Sequence, residues 1–113
     1  MSSTSGSLSL TAYPGQTVSS TPIDVSGQKR FTVQAIYSDG VAFNGIVRAR
    51  GSVNADGTDE TGYSTIMNME KVIINNGSVS WSTPEMSFLW MRFQLVSYTG
   101  NITAAIKYAL KAN

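Results

Sequence analysis

The segment from residue 88 to residue 111 constrains the fold most, because apolar and polar residues alternate on both sides of a break at Thr99-Gly100. Successive side chains of a strand point to opposite faces, so an alternating apolar set lines one face. The apolar positions are odd before the break and even after it: Leu89, Met91, Phe93 and Leu95, then Ile102, Ala104, Ile106, Tyr108 and Leu110. The pattern predicts two strands, each with one buried face.

The same alternation predicts how these two strands pair. A hairpin with Phe93 opposite Ile106 places both apolar sets on one face, and a slip of one residue would turn one set toward solvent. We therefore expect Phe93 and Ile106 to be buried neighbours on adjacent strands. This register also places Arg92 opposite Lys107 on the other face. Two like charges are tolerated there only if that face is solvated or meets an acidic partner.

The remainder of the chain repeats short alternating segments between turn residues. The clearest of them runs from Phe31 to Tyr37, and no segment shows a convincing helical period. Gly45 inside a later segment predicts a bulge or a close backbone approach. Strands that recur about every 8–12 residues between turns are typical of sandwiches and barrels. The sequence predicts an all-β, antiparallel, jelly-roll-like sandwich of about eight strands with little or no helix.

Length and composition set the domain organisation. A chain of 113 residues makes one domain with one core. Residues 1–7 are rich in Ser, Thr and Gly, which predicts a flexible N-terminal arm. Residues 8–113 then form a single β-sandwich domain.

Composition also argues against several classes of function. The chain has no His and no Cys, so neither a Ser-His-Asp nor a Cys-His site can be built. Three of the acidic residues lie together in one turn-like loop and the other four are scattered, so the sequence indicates no pair of carboxyls held across a cleft. We expect no enzyme and no cofactor. A net charge of +1 with 13% charged residues disfavours nucleic-acid binding. The sequence lacks an apolar run of the ~18 residues needed for a membrane span, and its start is unlike a signal peptide. We expect no membrane partner and synthesis in a cytoplasm.

The loop from Asn54 to Gly62 holds three of the seven acidic residues. Oxygen-bearing side chains at alternate positions, Asn54, Asp56, Thr58 and Glu60, are of the type that binds Ca²⁺. Their order does not fit an EF-hand loop. We favour an exposed, mobile, solvated loop without metal, with Ca²⁺ binding as the alternative.

Aromatic residues of the last third of the chain raise the question of a sugar site. An aromatic platform could be built from Trp81, Trp90, Tyr98 and Tyr108, although most aromatic residues of a small β domain lie in its core.

Trp90 shares its strand face with Arg92 and Gln94, away from the apolar set, so it is packed under a second layer, exposed for a ligand or buried against another subunit. Trp and Arg are enriched where subunits meet. The sequence predicts a possible subunit interface made by Trp90, Arg92, Gln94 and Lys107. An acid of a neighbouring copy, Glu70 or Glu85, would relieve the pair of cations.

The order of motifs resembles the small β-sandwich virion proteins of tailed bacteriophages. The resemblance lies in a Ser/Thr/Gly arm followed by PIDVSGQKRFTVQAIYSDG, then FNGIVRARGSVNADGTDE, and a closing WMRFQLVSYTGNITAAIKYALK, without cysteine. It implies a structural role in capsid decoration, a fibre or a tail-associated module, and it carries over no catalytic residue. It also implies location in the virion, contact with other virion structural proteins and a homo-oligomer, a trimer by analogy. The alternative is a carbohydrate- or receptor-binding β-sandwich module.

Overall fold

The computed structural model describes residues 3–38, 44–74, 77–82 and 88–111. Within these ranges the chain forms nine strands, β1 Ser3–Ala12, β2 Thr17–Ser19, β3 Ile23–Asp24, β4 Arg30–Ser38, β5 Asn44–Ser52, β6 Ser64–Ile74, β7 Gly77–Ser82, β8 Trp90–Thr99 and β9 Ile102–Lys111. The helical content of the same ranges is one 3₁₀ turn, Glu60–Gly62, and no helix there has the length and hydropathy to cross a membrane.

The strands form two antiparallel sheets that pack face to face. One sheet has the order β1-β9-β4-β7, and the other has the order β2-β8-β5-β6, with β3 also paired to β8. β2 and β3 pair with successive parts of β8, so together they fill one of eight strand positions. Most consecutive strands lie in opposite sheets, which is the arrangement of a jelly roll. The predicted all-β, jelly-roll-like sandwich with little helix is confirmed.

The predicted pairing of the last two strands is wrong. β8 pairs with β2, β3 and β5, whereas β9 pairs with β1 and β4. Phe93 therefore lies beside Ala49, and Ile106 lies between Leu8 and Ala35. Both predicted core side chains are buried, each with 0% exposure. The apolar faces of β8 and β9 meet across the core of the sandwich. This arrangement buries both alternating sets of apolar side chains as well as a hairpin would.

The core between the sheets is built from the inward positions of both. β8 supplies Met91, Phe93 and Leu95, and these pack with inward residues of β9 and β4 in one buried cluster. The ring centroids of Phe93 and Tyr108 are 5.7 Å apart, which joins the two sheets directly. Leu89, which belongs to the predicted buried set, is 39% exposed because it precedes β8 at the end of the sandwich.

The structure assigns Ser3 and the residues after it, within the arm predicted over residues 1–7, to a strand. β1 begins at Ser3 and pairs with β9 as far as the Ser3–Lys111 register pair, while residues 1 and 2 lie outside the described ranges. Strand pairing uses backbone groups, which Ser, Thr and Gly supply as well as apolar residues do. Tyr108 also covers Gly6, where an added Cβ would lie 2.4 Å from the Tyr108 hydroxyl. Small polar composition thus coexists with an ordered strand.

The expectation for Gly45 is confirmed. The register between β5 and β8 shifts at Asn44 and Gly45, and a Cβ at Gly45 would lie 2.3 Å from the carbonyl oxygen of Val96. No side chain fits at such a distance, so glycine permits the irregular pairing.

Engineered disulfides test the strand order, since the sequence has no cysteine. Thr11 and Thr103 are register partners whose Oγ1 atoms are 3.2 Å apart, so a Thr11→Cys, Thr103→Cys variant should oxidise to an intramolecular disulfide. The matched control is Val96→Cys with Thr103→Cys, a pair that the hairpin would bring together and the sandwich separates. Non-reducing mass spectrometry with thiol counting reads the result. A disulfide in the control and not in the first variant would contradict the sheet order.

Candidate functional site

The structure divides the four residues of the predicted interface between two surfaces. Trp90, Arg92 and Gln94 lie on the outer face of β8, which is central in its sheet. Lys107 lies on the outer face of β9 in the other sheet, between Ser7 and Gln34. These four residues therefore do not form one surface. A subunit contact made by Trp90, Arg92 and Gln94 stays a prediction.

A row of polar side chains crosses the outer face of the β8 sheet. Ser19, Gln94, Arg48 and Glu70 are successive register partners on β2, β8, β5 and β6. Gln94 donates from Nε2 to Ser19 Oγ at 3.1 Å, and its Oε1 accepts from Arg48 Nε at 2.9 Å. Arg48 Nη1 then donates to Glu70 Oε2 at 3.0 Å. The buried amide of Gln94 is thus satisfied by its own chain.

A second row brings two arginines together under one carboxylate. Arg50 and Arg92 are register partners on β5 and β8, and like charges placed opposite each other are destabilising. Glu60 resolves this conflict, because its Oε1 accepts from Arg50 Nη1 at 3.2 Å and its Oε2 accepts from Arg92 Nη1. We call Arg50, Arg92 and Glu60 the arginine clamp.

The surroundings of Arg92 fix its orientation. Its Nε donates to the Ser20 carbonyl oxygen at 3.2 Å, and its guanidinium carbon lies 5.1 Å from the centroid of the Tyr63 ring. Burial, and after it the positive charge of Arg50, lowers the pKa of Arg92. The side chain is 13% exposed, against 54% for Glu60. Arg92 is therefore a packed side chain, and the carboxylate above it faces solvent.

The predicted pairing of Arg92 with Lys107 is wrong, because Arg92 lies opposite a different cation. The neighbour of Arg92 is Arg50 rather than Lys107, and its acid is Glu60 of the same chain. Glu70 is engaged with Arg48, and Glu85 lies outside the described residues. Relief of the positive charge therefore requires no acid from a neighbouring copy.

The loop over residues 54–62 brings Glu60 to the arginines. Trp90 packs on Gly57, where an added Cβ would lie 2.5 Å from the indole ring, and Trp90 Nε1 donates to the Ala55 carbonyl oxygen at 3.3 Å. Tyr63 Oη donates to the Gly57 carbonyl oxygen at 2.9 Å. The expected solvated loop is exposed at Asp56 and Glu60, while Gly57 at its centre is buried against Trp90 of β8.

Of the residues considered for Ca²⁺, Glu60 binds the two arginines, whereas Asn54, Asp56 and Thr58 form hydrogen bonds within the loop. Asn54 Oδ1 accepts from the Asp56 N–H, and Asp56 Oδ1 accepts from both the N–H and the hydroxyl of Thr58. These bonds from Thr58 lower the pKa of Asp56. Asp59 caps the 3₁₀ turn by accepting from the Thr61 N–H. In the described residues, His, Cys, Asp and Glu form no group of three or more that could hold a metal ion.

The aromatic residues do not make a shared platform in the part of the chain that the structure describes. Tyr108 points inward and is half-buried. Trp90 and Tyr98 share the outer face of β8 but are eight residues apart, about 26 Å along a strand. The side chain of Trp81 lies outside the description.

The outer face of the other sheet has a different character. Its exposed positions are mostly Ser, Thr and Ala, as on β1 and β9, with Lys107 near the centre. β1 forms one edge of this sheet, and no described strand pairs with its other side. Sequence reasoning missed this edge because the polar composition of residues 1–7 indicated an arm.

A pocket opens at the end of the sandwich where β5 and β9 end and β4 and β8 begin. It has a volume of ≈ 350 Å³ and is lined by Gly27, Gln28, Lys29, Val53, Phe88 and Leu89. These residues come from three separate segments, which explains why no sequence motif marks the pocket.

Comparisons with known proteins identify the fold. No protein-family model matches this chain, and no curated protein sequence is significantly similar to it. Its structure is similar to that of PirA, with a TM-score of 0.57, 7% identity and 92% of each chain covered.

Two further solved structures share the fold. The C-terminal CBM6 domain of the laminarinase LamC from the marine Zobellia galactanivorans gives a TM-score of 0.54 at 15% identity, covering 88% of this chain and 75% of that one. A protein of Bacillus endospore appendages, which are disulfide-linked pili, gives 0.52 at 10% identity, covering 96% and 88%. These likenesses establish the β-sandwich fold.

The arginine clamp can be tested by replacing its carboxylate with an uncharged amide of the same shape. Glu60→Gln should lower the free energy of unfolding by about 1–2 kcal/mol, because it leaves Arg50 and Arg92 opposed on a partly buried face. The matched control Glu70→Gln should cost less than about 0.5 kcal/mol, because Glu70 neutralises a single arginine, and Arg48 keeps its hydrogen bond to Gln94. Urea denaturation measures both. Equal losses in the two variants would contradict the clamp.

Proposed function

We propose that this chain is a structural subunit of a bacteriophage particle, as capsid decoration, fibre or tail-associated module. In this proposal it resides in the virion, assembles with copies of itself and contacts other virion structural proteins. The observation that carries the proposal is the free edge of β1. The resemblance of the sequence to small virion β-sandwiches supports the same assignment.

The β1 edge is long and open. Ser3–Ala12 contains ten residues with neither a charged side chain nor a proline. Its backbone groups that point away from β9 need a partner, which is either water or another strand. A long edge without charge or proline is a template for pairing with another chain. Soluble monomers usually protect such an edge.

The other described edges are better protected. β2 and β3 have three and two residues and are separated by a segment that contains Pro22. β6 carries Glu70 and Lys71, and its pairing with β5 is interrupted by a register shift. β7 is uncharged but has only six residues. Short strands, charges, prolines and bulges all oppose edge pairing, so β1 is the edge left open.

Two kinds of pairing fit the β1 edge. Pairing of β1 with β1 of another copy closes a two-fold dimer. Pairing of β1 with β7 of the next copy joins the two uncharged edges of the same sheet, and three such contacts around an axis close the trimer expected by analogy. The two arrangements differ in mass, which makes them separable.

Among proteins of similar fold, the Bacillus endospore appendage protein belongs to pili, whereas the LamC domain is a CBM6 domain. The carbohydrate- or receptor-binding alternative calls for two or more aromatic side chains on one open face with polar groups beside them. Trp90 and Tyr98 are too far apart for this, and Trp90 is packed on Gly57. The structural role is therefore the better-supported proposal.

Sedimentation of the full chain at micromolar concentration tests the contact. The wild-type chain, of 12.1 kDa, should sediment as a dimer or trimer. A Ser5→Lys, Ser9→Lys variant should shift to monomer, because two added cations along the edge oppose strand pairing, and both positions lie opposite alanines of β9. Both serines are exposed, so we expect the melting temperature to change little.

Ser80→Lys on β7 is the matched control. It should leave a β1–β1 dimer intact and dissociate a β1–β7 trimer. A wild-type chain that stays monomeric on concentration would overturn self-association. An oligomer unaffected by the two β1 lysines would overturn the β1 contact and favour a face such as that of Trp90, Arg92 and Gln94.

A further inference from the structure

The pocket at the end of the sandwich lies apart from the arginine clamp and involves no residue of β1. Its apolar wall consists of Val53, Phe88 and Leu89. Val53 and Leu89 are 71% and 39% exposed, and with Phe88 they line one pocket, whereas exposed apolar side chains on a surface are ordinarily scattered. Phe88 packs on Gly51, where an added Cβ would lie 2.7 Å from the ring. The pocket therefore concentrates exposed apolar surface in one concave place.

Backbone hydrogen bonds hold the walls in place. The Leu89 N–H donates to the Ser52 carbonyl oxygen at 2.9 Å, and the Val25 N–H donates to the Leu89 carbonyl oxygen at 3.0 Å. On the other side, the Lys29 N–H donates to the Lys111 carbonyl oxygen at 2.7 Å. The backbone of the segments that line the pocket is thus held in place, so that a ligand requires only side chains to turn.

Two polar side chains at the pocket determine which chemical groups of a ligand it favours. The Lys29 side chain is an exposed cation at the pocket. Gln28 Oε1 is buried and has no hydrogen-bond partner within the part of the chain that the structure describes. An unpartnered buried acceptor is costly, so a molecule that offers a donor gains affinity when the Gln28 amide turns toward it.

We propose that this pocket binds a small, mostly apolar molecule that carries one hydrogen-bond donor and one negative charge. The apolar body contacts Val53, Phe88 and Leu89, the donor meets Gln28, and the negative charge faces Lys29. A volume of ≈ 350 Å³ lies within the range of small-molecule sites. The proposal does not depend on self-association and holds for monomer and oligomer alike.

A fluorescent probe with these three features is 1-anilinonaphthalene-8-sulfonate, which has two apolar ring systems, one N–H and one sulfonate. Titration of the folded wild-type chain should give a saturable rise in fluorescence with one site per chain. Because this probe also binds loosely packed states, each variant is first required to melt as cooperatively as wild type. The absence of saturable binding would overturn the proposal.

Two valines of similar exposure provide a matched pair of variants. Val53 lines the pocket, whereas Val72, with 64% exposure, lies on the outer face of the β8 sheet. Val53→Asp should weaken probe binding by about tenfold, since it places a carboxylate in an apolar wall near the sulfonate, and Val72→Asp should leave it unchanged. Leu89→Ser gives a second test from another segment. Equal effects at positions 53 and 72 would overturn the assignment.

The polar contacts are tested separately. N-phenyl-1-naphthylamine keeps the rings and the N–H but lacks the sulfonate. Lys29→Ala should weaken binding of the sulfonated probe and leave binding of this neutral analogue unchanged. Gln28→Leu should weaken both probes without lowering the melting temperature, because it removes an unpartnered acceptor. If neither substitution affects either probe, the pocket does not have the proposed ligand chemistry.

Discussion

Packing of the inner faces of β8 and β9 against each other is the interaction on which the rest of the structure depends. Phe93 and Ile106 are both fully buried although they belong to different sheets, and the Phe93 and Tyr108 rings meet between them. Because the two strands face each other across the core, each must find hydrogen-bonded neighbours elsewhere. β8 takes β2, β3 and β5, and β9 takes β1 and β4. The face-to-face packing of β8 and β9 thus determines the neighbours of most other strands.

The packing of β8 against β9 also determines which side chains become neighbours on the outer face of each sheet. On the β8 sheet it aligns Arg50 with Arg92, which would be unfavourable without Glu60. The polar loop therefore has a structural task, since Trp90 on Gly57 holds the loop where the carboxylate reaches both guanidinium groups. A carboxylate shared by two partly buried arginines stabilises more than an exposed pair does, because solvent screens it less.

Sequence pattern predicts the fold class well and the pairing poorly, for a physical reason. Alternation in β8 and β9 specifies which side chains are buried but not whether the two apolar faces lie side by side or face to face. A jelly roll favours the second arrangement, so the predicted hairpin conflicts with the fold predicted from the same sequence. Glu60 could not be matched to Arg92 from spacing, because a loop, not a strand register, brings them together. The sequence held no sign that β1 extends beyond its apolar half, since the close contact of Tyr108 with Gly6 is visible only in the structure.

The two sheets differ in how many of the polar groups on their outer faces are hydrogen-bonded within the same chain. In the β8 sheet, Ser19, Gln94, Arg48 and Glu70 complete a row of hydrogen bonds from one strand to the next. In the β1 sheet, the exposed side chains are mostly Ser, Thr and Ala, whose hydrogen bonds, such as that between Thr11 and Thr103, join single pairs, and the β1 backbone groups face outward at an edge. Small side chains leave this edge sterically accessible, whereas the arginines, Trp90 and the loop crowd the opposite face. A strand from another chain can therefore approach β1 without breaking any contact, which is the physical basis for assigning assembly to this edge.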